Sequence, residues 1–455
     1  MSMMKGFSNV FRIPELRKKI FITLGLVAVC RLVSHIPTPG VDWTALQEAI
    51  KPLEGTSRGV LDWFNTFTGG ALGQCTIGTL SIWPYISASI VVQLLSSMIP
   101  SLQKLKKEGE NGRQQLAQIT RYLTIVLCIV QGWGIATLLS SPEALRQIGY
   151  VKPLVADPGI GFNVMTVICM TAASLFIMWV ADQITAFGVG NGASLIIMIN
   201  ITSRLPEALW SAYQRYFVSP DGKMVELAML ILFFVIVVMG TVMLTQGVKK
   251  VAIHSTRRSV GGGNTYGMKQ TYMPLKVNYT GVMPIIFAQP LIQIAAVGLQ
   301  YVAPQDSYLY KAAFNLQNST SLSHLVIYAA LIVFFTFFWV ATQFNAIDIS
   351  ENLKKDGSYI PGVRPGRATA EHLDDMMTKI TLIGAIGLLA VAIIPMVLMG
   401  WLKIPDALAS FFGGTSLLII VGVALDTLRI LESHLLVRKY DGFLSHGRLR
   451  GRSGV

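Results

Sequence analysis

Three ionisable side chains, Arg31, Asp182 and Asp426, fall inside or at the edges of long apolar runs. Charge in such a setting commonly marks a proton relay or an ion-coupling site. Each also has a plainer reading. Arg31 can extend its head group to the outer interface of a membrane. Asp182 stands where an apolar run ends and solvent is near. Asp426 precedes Arg429 by three residues, the helical spacing of a local ion pair. Read this way, the three form no charge relay. The histidines (His35, His254, His324, His372, His434 and His446) are dispersed without metal-ligand spacing. Cys30, Cys75, Cys128 and Cys169 form no C-x-x-C pair and sit in or beside apolar stretches, as small buried hydrophobes do. H-E-x-x-H, G-x-S-x-G and the phosphate-loop pattern are all missing, and Gly261-Gly262-Gly263 lacks the Lys and Ser/Thr such a loop needs. Neither an enzyme nor a metal or cofactor site is expected.

The elements that must position any functional residue are membrane helices. Of 455 residues, 52% are apolar and only 13% charged, with a net charge of +13. An average soluble domain carries about 25% charged residues. A soluble chain of this length needs a charged surface that this one cannot supply, and its hydrophobicity excludes disorder. About 20 apolar residues cross the ~30 Å hydrocarbon layer. Ten stretches qualify as candidates: 20–36, 77–99, 119–139, 161–181, 187–203, 224–246, 281–303, 323–344, 379–402 and 411–431. An even number of spans places both termini on one side. Of the 37 basic residues, 27 fall in stretches on that side. Acidic residues divide almost evenly, so the bias is cationic, and by the positive-inside rule both termini are expected in the cytoplasm. The basic N-terminus lacks a small-residue cleavage site, so the first span is expected to be retained.

Two cytoplasmic connections are much longer than a turn. The first, from Gln246 to about Asn278, carries Arg257, Arg258 and Lys269 among its six cations and no acid. The second, from about Asn345 to Thr378, contains Pro361, Gly362, Arg364, Pro365 and Gly366. Long connections on a scaffold usually contact something, and a large cytosolic partner suits these better than lipid attraction alone. On the opposite side, Gly59–Gly70 is apolar but too short to span. It reads either as an interfacial amphipathic turn or as a re-entrant segment sheltered inside the protein.

Several motifs resemble those of the SecY family, the central subunits of the bacterial protein-conducting channel. Pro84-Tyr85-Ile86-Ser87-Ala88-Ser89-Ile90 lies in the second stretch, and Lys106-Lys107-Glu108-Gly109-Glu110 with Gly112-Arg113 follows it. Gly188-Val189-Gly190-Asn191-Gly192 opens the fifth stretch, and Pro274-Leu275-Lys276-Val277-Asn278 precedes the seventh. Pro361-Gly362-Val363-Arg364-Pro365-Gly366 and Gly413-Gly414-Thr415-Ser416-Leu417-Leu418-Ile419 complete the series, in order along nearly the whole chain.

The resemblance implies an all-α integral membrane protein. Ten transmembrane helices would form two pseudo-symmetric five-helix halves, 1–205 and 206–455, around an hourglass pore in the plasma (inner) membrane. By position, the family's pore ring falls on Ile82, Ile86, Ala193, Ile197, Ile286 and Ile419, Ala193 being smaller than the usual residue. The segment about 61–70 (Leu61, Asp62, Trp63, Phe64, Asn65, Phe67, Gly69, Gly70) becomes the plug of the external funnel. The lateral gate lies between the second and seventh spans, at Ser87, Ile90, Gln93, Asn278 and Ile285. Arg257, Arg258, Lys269 and Arg364 would dock the SecA motor ATPase or the ribosome. Many relatives place paired arginines just before the tyrosine matched by Tyr266; Asn264-Thr265 stands there instead. Implied partners are the small subunits SecE and SecG, client signal sequences and lipid. The competing reading, a secondary transporter of a small solute, requires a buried ionisable pair at a midplane site.

Overall fold

A computed structural model of the chain describes residues 13–42, 65, 67–141, 154–155, 157–218, 224–255, 270–302, 304, 307–317, 321–402 and 414–446. The chain divides into two compact units. One holds the described residues through Leu205 and those from Val423 onward; the other holds Pro206–Gly422.

In the first unit, α1 (Pro14–Val33), α2 (Trp83–Met98) and α3 (Pro100–Lys107) each carry proline in their first two positions, where a missing N–H costs nothing. Pro100 also ends α2: it forces Ile99 into an extended conformation (φ −93°, ψ 118°) and restarts the chain as a short amphipathic helix. The long helices α4 (Glu110–Ser140) and α5 (Ile160–Phe187) pack together; α4 also packs against α2, and α5 against the short 3-10 turn Ile77–Leu80 that precedes α2. Their apolar centre gathers Cys75, Leu80, Cys128, Leu139, Leu154 and Met170. Cys30, Cys75 and Cys128 are buried, Cys169 is partly so, and all four are free thiols.

The fifth apolar stretch holds only an 11-residue helix, α6 (Gly192–Thr202), which is about 16 Å long. The Gly188–Asn191 turn consumes its start. Asn191 caps α6 by accepting from the Ser194 N–H, while the Gly192 N–H donates to Thr185 Oγ1 at 2.9 Å. A β carbon on Gly192 would stand 2.0 Å from the Ala181 carbonyl oxygen, so α6 can leave α5 this closely only from glycine.

The second unit contains α7 (Leu205–Tyr213, its first residue at the boundary), α8 (Met224–Gln246), α9 (Met283–Val302), α10 (Tyr308–Gln317), α11 (Leu322–Gln343), α12 (Ala346–Lys355) and α13 (Arg367–Leu402). The last helix, α14 (Gly414–His446), begins here and continues into residues of the first unit. Ile285, Ala288 and Ile292 of α9 close with Tyr328 and Ile332 of α11, Leu388 and Ala392 of α13 and Leu418 of α14 into one apolar cluster. Among the described residues, six segments are long and apolar enough to cross a membrane: Ile77–Ser96, Glu110–Ser140, Ile160–Phe187, Met224–Gln246, Leu322–Lys355 and Arg367–Val397.

The architecture is mostly helical but departs from the all-α expectation. The described parts of the two long connections are folded, not loops. Strands β1 (Val248–Ser255) and β2 (Gln270–Lys276) pair antiparallel with Val248 opposite Lys276, and β3 (Ser358–Tyr359) adds to the other edge of β1. From residue 251 onward β1 alternates. Val251 and Ile253 face inward and join or flank a cluster with Leu275, Phe344, Ile360, Leu373 and Met377. The second connection supplies α12, β3 and the first turns of α13, whose 36 residues extend about 54 Å, well beyond the 379–402 stretch. One apolar cluster therefore fastens both connections into a small α+β platform. Substituting Gly192 by alanine is expected to destabilise the protein by about 1–3 kcal/mol, because backbone rather than a yielding side chain blocks the methyl. A lowered thermal midpoint of the purified protein checks this.

Candidate constriction

Ile82 is the N-cap of α2, and Ile86 lies one turn on, with its N–H donating to Ile82 O at 3.2 Å. The two side chains share a face of the helix. Ile197 of α6 meets them across a small apolar cleft also lined by Phe67, Thr68, Ser81 and Trp83. Ile82, Ile86 and Ile197 are 2%, 8% and 8% exposed, so this end of the cleft is buried and apolar. The Phe67 and Trp83 rings lie 6.1 Å apart and tilted, which seats the plug candidate against α2. Ala193, one turn before Ile197, is half-buried and does not line the cleft among the described residues. Ile286 and Ile419 belong to the second unit and are buried there.

The described part of the plug candidate is a knotted turn. Asn65 O accepts from the Gly70 N–H, and Asn65 Oδ1 accepts from the Gly73 N–H at 2.8 Å. Asn200 of α6, 3% exposed, ties this turn to Ser81, just ahead of α2. Its Nδ2 donates to Phe67 O at 3.1 Å and to Ser81 Oγ at 3.0 Å. Ser81 is held in turn from α5, whose Ser174 hydroxyl donates to Ser81 O. The guanidinium of Arg31 approaches Gly69 O and Asn200 Oδ1 at 3.4–3.5 Å. Arg31 therefore turns inward to the plug candidate, and the expectation that it snorkels to the outer interface is corrected. Leu61, Asp62, Trp63 and Phe64 lie outside the described residues.

The other sequence candidates are dispersed. On α2, Ser87 is half-buried, Ile90 buried and Gln93 exposed. Ile285 is fully enclosed in the apolar cluster of the second unit. Asn278 is buried; its Oδ1 accepts from the Thr280 hydroxyl, while its Nδ2 finds no partner among the described residues. Arg364 is exposed in the turn between β3 and α13, with its carbonyl accepting from the Thr369 hydroxyl. Arg257, Arg258 and Lys269 lie outside the described residues. Asp182 pairs with Arg121 of α4 at 2.7 Å on a half-exposed surface, and Asp426 pairs locally with Arg429 at 3.8 Å. No His/Cys/Asp/Glu group among the described residues could hold a metal. Asn200, Ser81 and Ser174 were not singled out from sequence. The one available signal was an asparagine in the middle of an apolar run, where a polar group needs a partner.

The SecY family model matches residues 76–428. The chain is 41% identical over 444 residues to the protein translocase subunit SecY of Streptomyces coelicolor, across 97% of this chain and all of that protein. The chain belongs to the SecY family. It is accordingly a membrane-embedded translocase subunit and not an enzyme. Solved structures share the fold at 17% identity. One, described as a protein conducting channel, aligns with a TM-score of 0.62, covering 93% of this chain and 96% of its own. Another, Sec61 in a canine ribosome-channel complex, aligns at 0.58 with the same coverage. Replacing Asn200 by leucine strands Phe67 O and Ser81 Oγ in a dry site. An expected loss of about 2–4 kcal/mol would appear as a lowered thermal midpoint, and Ser174→Ala, which removes only one donor, should cost less.

Proposed function

We propose that this chain forms a pore for unfolded secretory polypeptides and opens sideways to release membrane-protein segments into the plasma membrane. In this reading ten helices form two pseudo-symmetric halves, 1–205 and 206–455, around an hourglass pore, with both termini cytoplasmic. The observation that carries it is the buried apolar cleft where Ile82, Ile86 and Ile197 meet Phe67. Ala193, Ile286 and Ile419 would complete the ring by their family positions. Stiff branched side chains around a narrow neck leave no stable water column, so small ions meet a dewetted barrier. The same side chains offer a threaded polypeptide no partner to bind, so it can slide. The segment 61–70 is the plug over this neck.

The gate is the seam between α2, at Ser87, Ile90 and Gln93, and α9 with its approach, at Asn278 and Ile285. A client signal sequence gains lipid contact by entering the seam and shifts the population toward open. SecE and SecG would brace the channel in its lipid. SecA or the ribosome supplies the driving force and docks on the folded platform, where Arg364 stands exposed on a fixed turn. The solved ribosome-channel complex supports the ribosome as one such partner. Family membership favours this reading over a solute transporter.

Photocrosslinking probes at Ser87 and at Ile286 are expected to capture a client signal peptide during translocation; an active complex yielding neither adduct contradicts the gate. Arg364→Glu is expected to impair preprotein transport more than Arg257→Glu, measured as protease-protected product in vesicles. Wild-type transport by Arg364→Glu would remove that docking assignment.

A further inference from the structure

Arg31 has no part in the function described so far, yet a cation in an apolar helix is costly unless something satisfies it. The guanidinium satisfies itself on two acceptors: Gly69 O, reached by Nη1 at 3.5 Å and Nη2 at 3.4 Å, and Asn200 Oδ1, reached by Nη1 at 3.4 Å. The orientation of the Asn200 amide follows. Its nitrogen is committed to Phe67 O and Ser81 Oγ, so its oxygen must face Arg31. A flipped amide would set NH2 against the guanidinium, donor to donor, and strand Phe67 O.

Both plug contacts of this pair fall on backbone carbonyls, Phe67 O and Gly69 O, and so do not depend on plug side chains. The seat for the guanidinium is shaped by glycine. Gly69 has φ +68°, and a β carbon there would lie 2.3 Å from Arg31 Nη1. The Arg31 contacts are long, which suits a hold that must be released.

We propose that Arg31, positioned by Asn200, is a latch: it holds the Gly69 carbonyl and thereby sets how readily the plug leaves the constriction. This rests on reading residues 61–70 as the plug. Removing the guanidinium should raise the resting open probability about tenfold, the factor that a ~1.4 kcal/mol change produces.

The test is resting ion conductance of the intact translocase in planar bilayers, for the native channel, a channel lacking residues 61–70, Arg31→Gln, Arg31→Lys, Gly69→Ala, and Arg31→Gln combined with the deletion. The latch predicts that Arg31→Gln and Gly69→Ala each raise conductance about tenfold. Arg31→Lys should raise it less, since an ammonium keeps the charge without the fork. Arg31→Gln should add nothing once residues 61–70 are gone. Gly69→Ala leaves Arg31 intact, so the prediction stands even where an Arg31 variant assembles poorly. An Arg31→Gln channel as quiet as the native one, beside a conducting deletion, overturns the latch and leaves the plug standing. An equal rise from Arg31→Gln in the deleted channel overturns it too, by showing that Arg31 acts on the fold at large. A silent deletion overturns the plug reading, and the latch with it.

Discussion

An irregular backbone among membrane helices must find its hydrogen bonds inside the protein wherever water does not reach it. Among the described residues the backbone from Phe67 to Ile82 is half-buried to buried, and polar groups from three helices of the first unit serve it. Within the segment, the Thr76 and Thr79 hydroxyls both donate to Ala71 O. From outside, α1, α5 and α6 each lend a polar group: Arg31, Ser174 and Asn200. Because those donors stand on regular helices, the turn is fixed in place without being helical itself. Phe67 is then held in the cleft where the isoleucines converge. In the proposed channel, a seal built from donated hydrogen bonds would be firm at rest, yet each bond could be exchanged singly. A core of the same size held only by packing would have to move as a block.

The second unit answers a different need. The proposed docking of a large cytosolic partner would require a surface that transmits force to membrane helices, which a loose loop cannot do. Here the connections after α8 and after α11 are fastened together by Val251, Leu275, Ile360 and Leu373. The edge contact between the His254 and Tyr359 rings, 5.8 Å apart, continues the join across β1 and β3. Helix α13 runs unbroken from this platform through its apolar stretch, although Pro395 removes one hydrogen bond late in its course.

Sequence and structure agree where the signal is local. Apolar runs locate helices because burial in lipid leaves no polar positions to confuse the pattern, and Ile82 and Ile86 share a face by spacing alone. The motif glycines were readable as motifs, but the reason for Gly192, the carbonyl of Ala181 against it, lies in a neighbouring helix. The sheet was hidden because exposed Lys249 and Lys250 interrupt the alternation that begins only at Val251. The clasp was hidden for a different reason. Asn200 meets Phe67 and Ser81 across more than 100 residues of sequence, and no periodicity links them. Arg31 was visible as an anomaly, but one partner is a backbone carbonyl, which carries no sequence signal, and the other, Asn200, lies 169 residues away.

The account stands on a dry neck of branched side chains that a moving polypeptide must touch. The most direct measurement is to stall a preprotein midway through the assembled translocase and map its contacts by site-specific crosslinking from Ile86 and Ile419. The account predicts that the stalled chain is captured at both positions. Normal export with the chain trapped at neither would contradict it.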